Sequence, residues 1–168
     1  MLQHLLREET VLTHLEAPNP EAALAEMMAY LPSVILHPKK KIKVLERLLQ
    51  RERFGTTAIG DELAFPHCVT DQVEHPVASL GISRHGIAFP SLDGRPVHVI
   101  LMLLFPENYL DRPERLQVLK ESEKIFRDRF LRECLKTSET SKQAFAIFQR
   151  EVTHLIQEIY PHELKALA

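Results

Sequence analysis

The chain has 168 residues, 45% of them hydrophobic and 26% charged, with a formal net charge of −2. That length buries a core without disulfide or metal staples, and the near-neutral balance excludes the broad positive field of a nucleic-acid or anionic-membrane binder. The longest apolar run, Val97 to Phe105, is interrupted by His98 and falls well short of the roughly 20 residues a spanning helix needs. His4, Arg7, Glu8 and Glu9 leave no room for an apolar signal core. One cytoplasmic domain over residues 1–168, without direct membrane insertion, is predicted.

In chain order, Val11 to Leu15 reads as a first strand. A helix starts at Asn19 or Pro20, with Ala23, Leu24, Met27, Met28 and Leu31 at helical spacing, and ends at Pro32. His37-Pro38 opens a second helix with Ile42, Leu45, Leu48 and Leu49 on one face. Lys39, Lys40, Lys41 and Lys43 form a solvated face at its start, and Gly55 marks its end. The middle is strand-rich: Leu63 to Phe65, Val77 to Ser83 and Val97 to Phe105, with turn signals at Ser83-Arg84-His85-Gly86 and Asp93-Gly94. The last of these strands is almost continuously apolar, as a strand covered on both faces must be. From Pro113 the pattern is helical. Leu116, Leu119, Phe126 and Phe130 mark one helix or two; Ala144, Phe145, Phe148, Val152, Leu155, Ile156 and Ile159 mark a final one that stops before Pro161. A helix pair, then strands, then a helix run predict an α+β fold, a mixed sheet between two helical layers.

The chemistry concentrates in residues 56–67, Thr-Thr-Ala-Ile-Gly-Asp-Glu-Leu-Ala-Phe-Pro-His. A tight turn at Gly60 leads into a short apolar run that Pro66 must end, because proline fixes φ and has no N–H. His67 is thereby mounted stiffly at a sheet edge. Neutral imidazole is a nucleophile near neutral pH, and a phosphohistidine can pass its phosphoryl group on. Such transfer needs one ring nitrogen held by a hydrogen bond, donors around the phosphoryl oxygens, and a surface location for protein partners. Thr56 and Thr57 offer hydroxyls, the Gly60 turn offers backbone N–H groups, and Arg51 offers a forked cation.

The run Arg51-Glu52, Thr57, Ile59-Gly60, Ala64 and Pro66-His67 resembles the phosphorylation-site signature of the fructose/mannitol-type IIA domains of the bacterial phosphoenolpyruvate-dependent phosphotransferase system, a group with a nitrogen-regulatory branch. The likeness continues through Leu92-Asp93-Gly94-Arg95-Pro96-Val97, Phe105-Pro106-Glu107 and Leu116-Gln117-Val118-Leu119, and covers roughly Leu2 to Val152. It implies a three-layer α/β/α sandwich with a mixed sheet. It also implies that His67 accepts a phosphoryl group on Nε2 from a histidine phosphocarrier protein, with Arg51 as the active-site arginine and Thr57 as the hydroxyl near the histidine. The acceptor is then a IIB-type domain or a regulatory target protein. Two positions depart from the family pattern. Arg115 stands where a second histidine is usual; it keeps a positive charge and gains two-pronged phosphate binding, but cannot titrate. Asp61-Glu62 replaces a flexible Asn-Gly and is expected to repel a nearby phosphoryl group.

Each residue also has a plainer reading: Arg51 as an ion pair with Glu52 or a helix neighbour, Thr57 as closing the turn after Gly55, Arg115 as a solvated arginine. His98 reads as a satisfied structural histidine. Cys68 and His67 point to opposite faces of an extended segment and cannot act as a pair. Cys68 and Cys134 match no redox or metal spacing and read as incidental thiols, the remaining histidines are scattered, and no metal or cofactor is expected. The function so predicted is a phosphocarrier using His67. The alternative is a regulatory protein-binding module without efficient phosphotransfer. The absence of a fused membrane or IIB-like domain leans toward regulation.

Overall fold

The structure, a computed structural model, describes residues 1–159. In chain order these form β1 (Val11–Leu12), α1 (Pro20–Tyr30), α2 (Pro38–Phe54), β2 (Ala58–Gly60), β3 (Leu63–Ala64), β4 (His67–Thr70), β5 (Val77–Ile87), β6 (Val97–Pro106), α3 (Pro113–Phe126), α4 (Arg129–Lys136) and α5 (Ser141–Ile159). The apolar run of β6 forms the middle of the sheet, antiparallel to β5 on one side and parallel to β3 and β4 on the other. β1 extends the sheet beyond β5 in parallel, and β2 closes the far side as the antiparallel partner of β3.

Alternation along β6 builds two cores. Val99, Leu101, Leu103 and Phe105 pack with Val118, Ile125, Phe126, Leu131, Ala144, Phe148 and Val152 of α3–α5. Ile100, Met102 and Leu104 pack on the opposite face with Leu24, Met27, Met28, Val44 and Leu48 of α1 and α2. The result is the predicted α/β/α sandwich, and the burial on both faces explains why β6 lacks a polar-apolar alternation.

The helix starts follow their local chemistry. Asn19 caps α1, its side-chain oxygen accepting from the Ala22 N–H at 2.9 Å, and Pro20 and Pro38 occupy the first helical positions, where their missing N–H costs nothing. α2 does end before Gly55, but Gly55 has φ 163°, an extended conformation open to any residue. The buried face of α2 is centred on Val44 and Leu48, flanked by Leu45 and Leu49. Ile42 lies about 200° from Val44 around the helix and is 66% exposed, against the predicted face. Lys41 is not simply solvated, since its ammonium caps α1 at the carbonyls of Ala29 and Leu31.

Other differences are local. The first strand is confined to Val11–Leu12. The predicted turn at Ser83–Gly86 is an irregularity inside β5: five positions from Ile82 to Ile87 face only two from Val99 to Val97, and the strand continues. The helical region from Pro113 is two helices, divided at Arg127-Asp128, and Leu116 and Phe130 lie on its exposed side. The expected stop before Pro161 lies outside the described residues.

Between β2 and β3 the chain reverses through Asp61-Glu62, both with positive φ (54° and 66°). A two-residue hairpin turn of the primed type demands this at both central positions, and Asn-Gly meets the demand at least cost. Ion pairs hold the costlier residues here: Asp61 with Arg127, and Glu62 with Arg95 and Lys136. Gly60, just before the turn, has φ +92°, and a Cβ there would lie 3.3 Å from the Asp93 carboxylate. Gly60→Ala is therefore expected to lower stability by about 1–2 kcal/mol, read as a lower urea midpoint at unchanged slope; an unchanged midpoint would contradict the strained geometry.

Candidate functional site

His67 opens β4, opposite Leu103 of β6, and among the described residues β6 is the only strand partner of β4. β3 and β4 lie on the same edge of β6 and are separated by Phe65-Pro66, which interrupts the ladder where proline lacks an N–H while the Pro66 carbonyl still accepts from Leu103 at 2.9 Å. By register the His67 ring lies on the α3–α5 face, like Val69 two residues on, and Cys68 lies in the α1–α2 core. Burial pushes the Cys68 thiol up to about 12, the Arg47 charge pulling slightly the other way, so it is no nucleophile at neutral pH.

The half-buried ring is held from one side. The Nδ1–H donates to the Phe65 carbonyl at 2.8 Å, which sets the neutral tautomer and leaves the Nε2 lone pair free. Burial is the largest influence on its protonation and lowers the His67 pKa. The Phe65 carbonyl pulls upward, the charges of Arg51 and Arg115 push down, and Glu52 opposes them; the net direction is below the ordinary 6.5. At neutral pH the ring is thus an uncharged nucleophile.

The two arginines come from different layers. Arg51 sits in the last turn of α2, half-buried, and donates from Nη1 to the Gly55 carbonyl at 2.9 Å rather than pairing with Glu52. Arg115 sits in the first turn of α3. Its Nε is buried without a hydrogen-bond partner, and its guanidinium makes no ion pair among the described residues. A buried cationic donor without a partner is costly, and an anion between it and His67 would satisfy it. Glu52, part of the signature run and in the plainer reading a partner for Arg51, instead accepts from the Thr57 N–H at 2.9 Å and hydroxyl at 2.6 Å. The Thr57 hydroxyl hydrogen is therefore directed at Glu52, whereas the Thr56 hydroxyl accepts from the Ala58 N–H.

The Gly60 turn is elsewhere. The Asp61 N–H is taken by Asp93 at 2.9 Å, and the Glu62 carbonyl accepts from His98 and Val99 at the start of β6. Val99 and Leu103, opposite Leu63 and His67, are four residues apart, about 13 Å along the strand. The Asp61 and Glu62 carboxylates are thus remote from His67 and already ion-paired. Burial alone would raise the Glu62 pKa, but the Lys136 hydrogen bond and charge, with His98 and Arg95, hold it below the usual range. His98 bonds through Nδ1 to the Ser83 carbonyl at 2.9 Å, a structural role.

One feature escaped the sequence reading. Lys40, Lys43, Arg47 and Arg51 recur every three or four residues along α2 and run beside the edge strand, with Lys40 on the Gln72 carbonyl, Arg47 on the Val69 carbonyl and Asp71, and Arg51 near His67. The spacing was visible as a charged helix face, but only its position beside β4 connects it to His67. A cleft of about 410 Å³, lined by His4, Arg7, His37, Lys40, Glu74 and His75 among others, contains none of the predicted site residues. Among the described residues, no three His, Cys, Asp or Glu side chains are grouped to hold a metal, and no helix is long and apolar enough to cross a membrane.

Residues 4–151 match the family described as phosphoenolpyruvate-dependent sugar phosphotransferase system, EIIA 2. The chain is 31% identical over 129 residues to the PTS system fructose-specific EIIABC component of Bacillus subtilis, covering 74% of this chain and 20% of that protein. It is 29% identical over 143 residues to a nitrogen regulatory protein of Bradyrhizobium diazoefficiens, covering 85% and 91%. Its fold is similar to nitrogen regulatory protein IIA-Ntr from Neisseria meningitidis, with a TM-score of 0.77, 26% identity, and coverage of 88% and 98%. It is also similar to IIA mannitol from Escherichia coli (TM-score 0.67, 17% identity, 85% and 98% covered), a likeness of fold alone. With the match spanning both helical layers and the whole sheet, this chain belongs to the EIIA 2 family of the phosphoenolpyruvate-dependent sugar phosphotransferase system.

Proposed function

We propose that His67 accepts a phosphoryl group on Nε2 from a histidine phosphocarrier protein and yields it to a IIB-type domain or uses it as a regulatory signal. The observation that carries this reading is the Nδ1–H bond to the Phe65 carbonyl, which leaves Nε2 as the available nucleophile. In the transfer, the Nε2 lone pair forms the new P–N bond as the donor's P–N bond breaks, and that electron pair returns to the donor's ring nitrogen. The proton stays on Nδ1, where the Phe65 carbonyl stabilises the charge that the ring acquires. Arg51 and Arg115 bracket the phosphoryl oxygens, and Thr57 supports the ring from behind. Positioning and charge stabilisation of this kind carry most of phosphoryl-transfer catalysis. Such a domain works in the cytoplasm, where its protein donors and acceptors are. Among solved relatives, the IIA domain for mannitol of Escherichia coli is seen with its phosphorylated IIB partner, which supports the IIB-type acceptor.

A regulatory use of the phosphoryl group is the second reading. It is favoured by the TM-score of 0.77 to IIA-Ntr against 0.67 to IIA mannitol. Phosphorylation places about −1.5 to −2 charges beside Arg51 and Arg115, enough to change what binds that surface.

Incubation with phosphoenolpyruvate, the first enzyme of the system and the histidine phosphocarrier, followed by intact mass at neutral pH and peptide mapping, tests the reading. One acid-labile phosphoryl adduct on the peptide holding His67 is expected; its absence with the carrier of the same organism leaves the domain as a binding module. Arg115→His is expected to be tolerated but to shorten the life of the phosphorylated form about fivefold, the worth of ~1 kcal/mol. Arginine holds the bound phosphoryl group with two parallel donors and a permanent charge, whereas histidine offers one donor and a charge that titrates. A hydrolysis rate equal to wild type removes Arg115 from the site.

A further inference from the structure

Glu52 sits against the local helix electrostatics. It occupies the last turn of α2, where a carboxylate opposes the negative end of the helix dipole. Among the described residues it has no cation as a hydrogen-bonded partner; both its oxygens are taken by one residue, Oε1 by the Thr57 N–H at 2.9 Å and Oε2 by the Thr57 hydroxyl at 2.6 Å. The Thr57 carbonyl then accepts from the Phe65 N–H at 3.0 Å, and the Phe65 carbonyl accepts from His67 Nδ1–H at 2.8 Å. Four groups form one hydrogen-bonded line from the end of α2, through Thr57 just before β2 and Phe65 between β3 and β4, to the ring.

We propose that Glu52 is a positioning residue for His67: acting through Thr57 and the Phe65 peptide, it holds the imidazole in the Nδ1–H tautomer with Nε2 turned outward. Its importance for catalysis rests on the reading of His67 as phosphoryl acceptor; the geometry does not. Both hydrogen bonds from Thr57 fix where the segment starts, and the Phe65 N–H bond to the Thr57 carbonyl then orients the residue whose own carbonyl receives the ring, so the coupling runs through backbone geometry. Pro66 confines Phe65 to extended backbone, which lets its N–H and carbonyl serve the two ends of the line. The competing anchor is the Phe65 ring, edge-on to Phe126 at 6.2 Å; it fixes the side chain and leaves the direction of the peptide to the hydrogen bonds.

The charges that face the ring come from three elements: Arg51 and Glu52 from α2, and Arg115 from α3, with the Phe65 carbonyl from the segment between β3 and β4. Glu52 is the one whose charge favours protonation, and loss of its anchoring also weakens the Phe65 bond, which acts in the same direction. Removing it must therefore move the His67 titration to lower pH.

The test uses the full chain labelled with ¹⁵N-histidine and follows the two ring nitrogens of His67 through a pH titration in wild type, Glu52→Gln and Glu52→Ala. Wild type is expected to show one protonated nitrogen, Nδ1, and one bare nitrogen, Nε2, above its midpoint. In Glu52→Ala the two signals converge as tautomers mix, and the midpoint drops by about half a pH unit; Glu52→Gln, which keeps one acceptor and no charge, falls between. A residue that merely props the loop would lower the melting temperature without moving either signal. Wild-type nitrogen shifts and midpoint in both variants, with near-UV circular dichroism intact, overturn the proposal. If Glu52→Ala does not fold, Thr57→Val, which removes the hydroxyl bond and keeps the N–H, is judged by the same two signals. A parallel phosphorylation assay separates the two claims: converging signals in a protein that accepts no phosphoryl group keep the positioning role and reject the phosphocarrier reading.

Discussion

His67→Ala is expected to take up no phosphoryl group from the carrier, where wild type under the same conditions is expected to gain one acid-labile adduct. The loss is expected to be complete because neither neighbouring candidate among the described residues can replace the ring. Cys68, the neighbouring candidate, lies in the other core with its thiol pushed up to about 12, and His98 is held by Ser83 at the far end of β6. The ring is half-buried on the α3–α5 face, outside the two packed cores, so the substituted protein retains its fold by near-UV circular dichroism. The pH dependence has a definite sign. Burial and the two arginines place the His67 pKa below 6.5, outweighing the Phe65 carbonyl and Glu52. The nucleophile is the neutral form, so acceptance is level through neutral pH and falls only on the acid side of 6.5 as the ring gains a proton. An acid limb above 6.5 in single-turnover phosphorylation, or an adduct of equal mass on His67→Ala, would refute the assignment.

Arg51→Ala is expected to slow phosphoryl acceptance by roughly 10- to 150-fold, the kinetic equivalent of about 1.5–3 kcal/mol for a hydrogen bond to a charged group. Arg51 is suited to the role by what it leaves free. Nη1 is anchored on the Gly55 carbonyl at 2.9 Å, which orients the planar guanidinium and leaves its remaining donors available. The same anchor predicts a modest structural cost, since Gly55 follows the last turn of α2. Arg51→Lys separates the two effects: it keeps the charge, loses the fork, and is expected to recover less than half of the lost activation free energy. Stopped-flow or quench-flow transfer from phosphorylated carrier measures both. A rate for Arg51→Ala equal to wild type removes Arg51 from the site and leaves it as a helix-end anchor.

Asp61-Glu62 illustrates how far linear reasoning reaches. Their nearness to His67 in sequence predicted repulsion of a phosphoryl group. The hairpin instead carries them to the opposite end of β3, about 13 Å away along the strand, where Arg127, Arg95 and Lys136 neutralise them. The departure from Asn-Gly therefore bears on turn strain and not on the chemistry. Arg115 is the converse case. Nearly fifty residues separate it from His67, and only the packing of α3 against the sheet brings its unpartnered Nε into the site.

The sequence by itself determined the helices, the long strands and their layers, though not the short strands β2 and β4 or the continuation of β5 past Ser83, because periodicity, capping residues and proline positions act over a few residues at a time. Asn19-Pro20 and His37-Pro38 place helix starts, the run from Val97 identifies a strand buried on both faces, and Phe65-Pro66-His67 puts an imidazole at a sheet edge. Tertiary structure alone decided which nitrogen of His67 is free, that Glu52 bonds Thr57 in place of Arg51, and that the cations of α2 line the edge strand. Those are choices between partners of similar local availability, and they are settled by the direction in which each backbone segment presents its donors and acceptors. That direction depends on strand register and helix docking, which no short window of sequence contains.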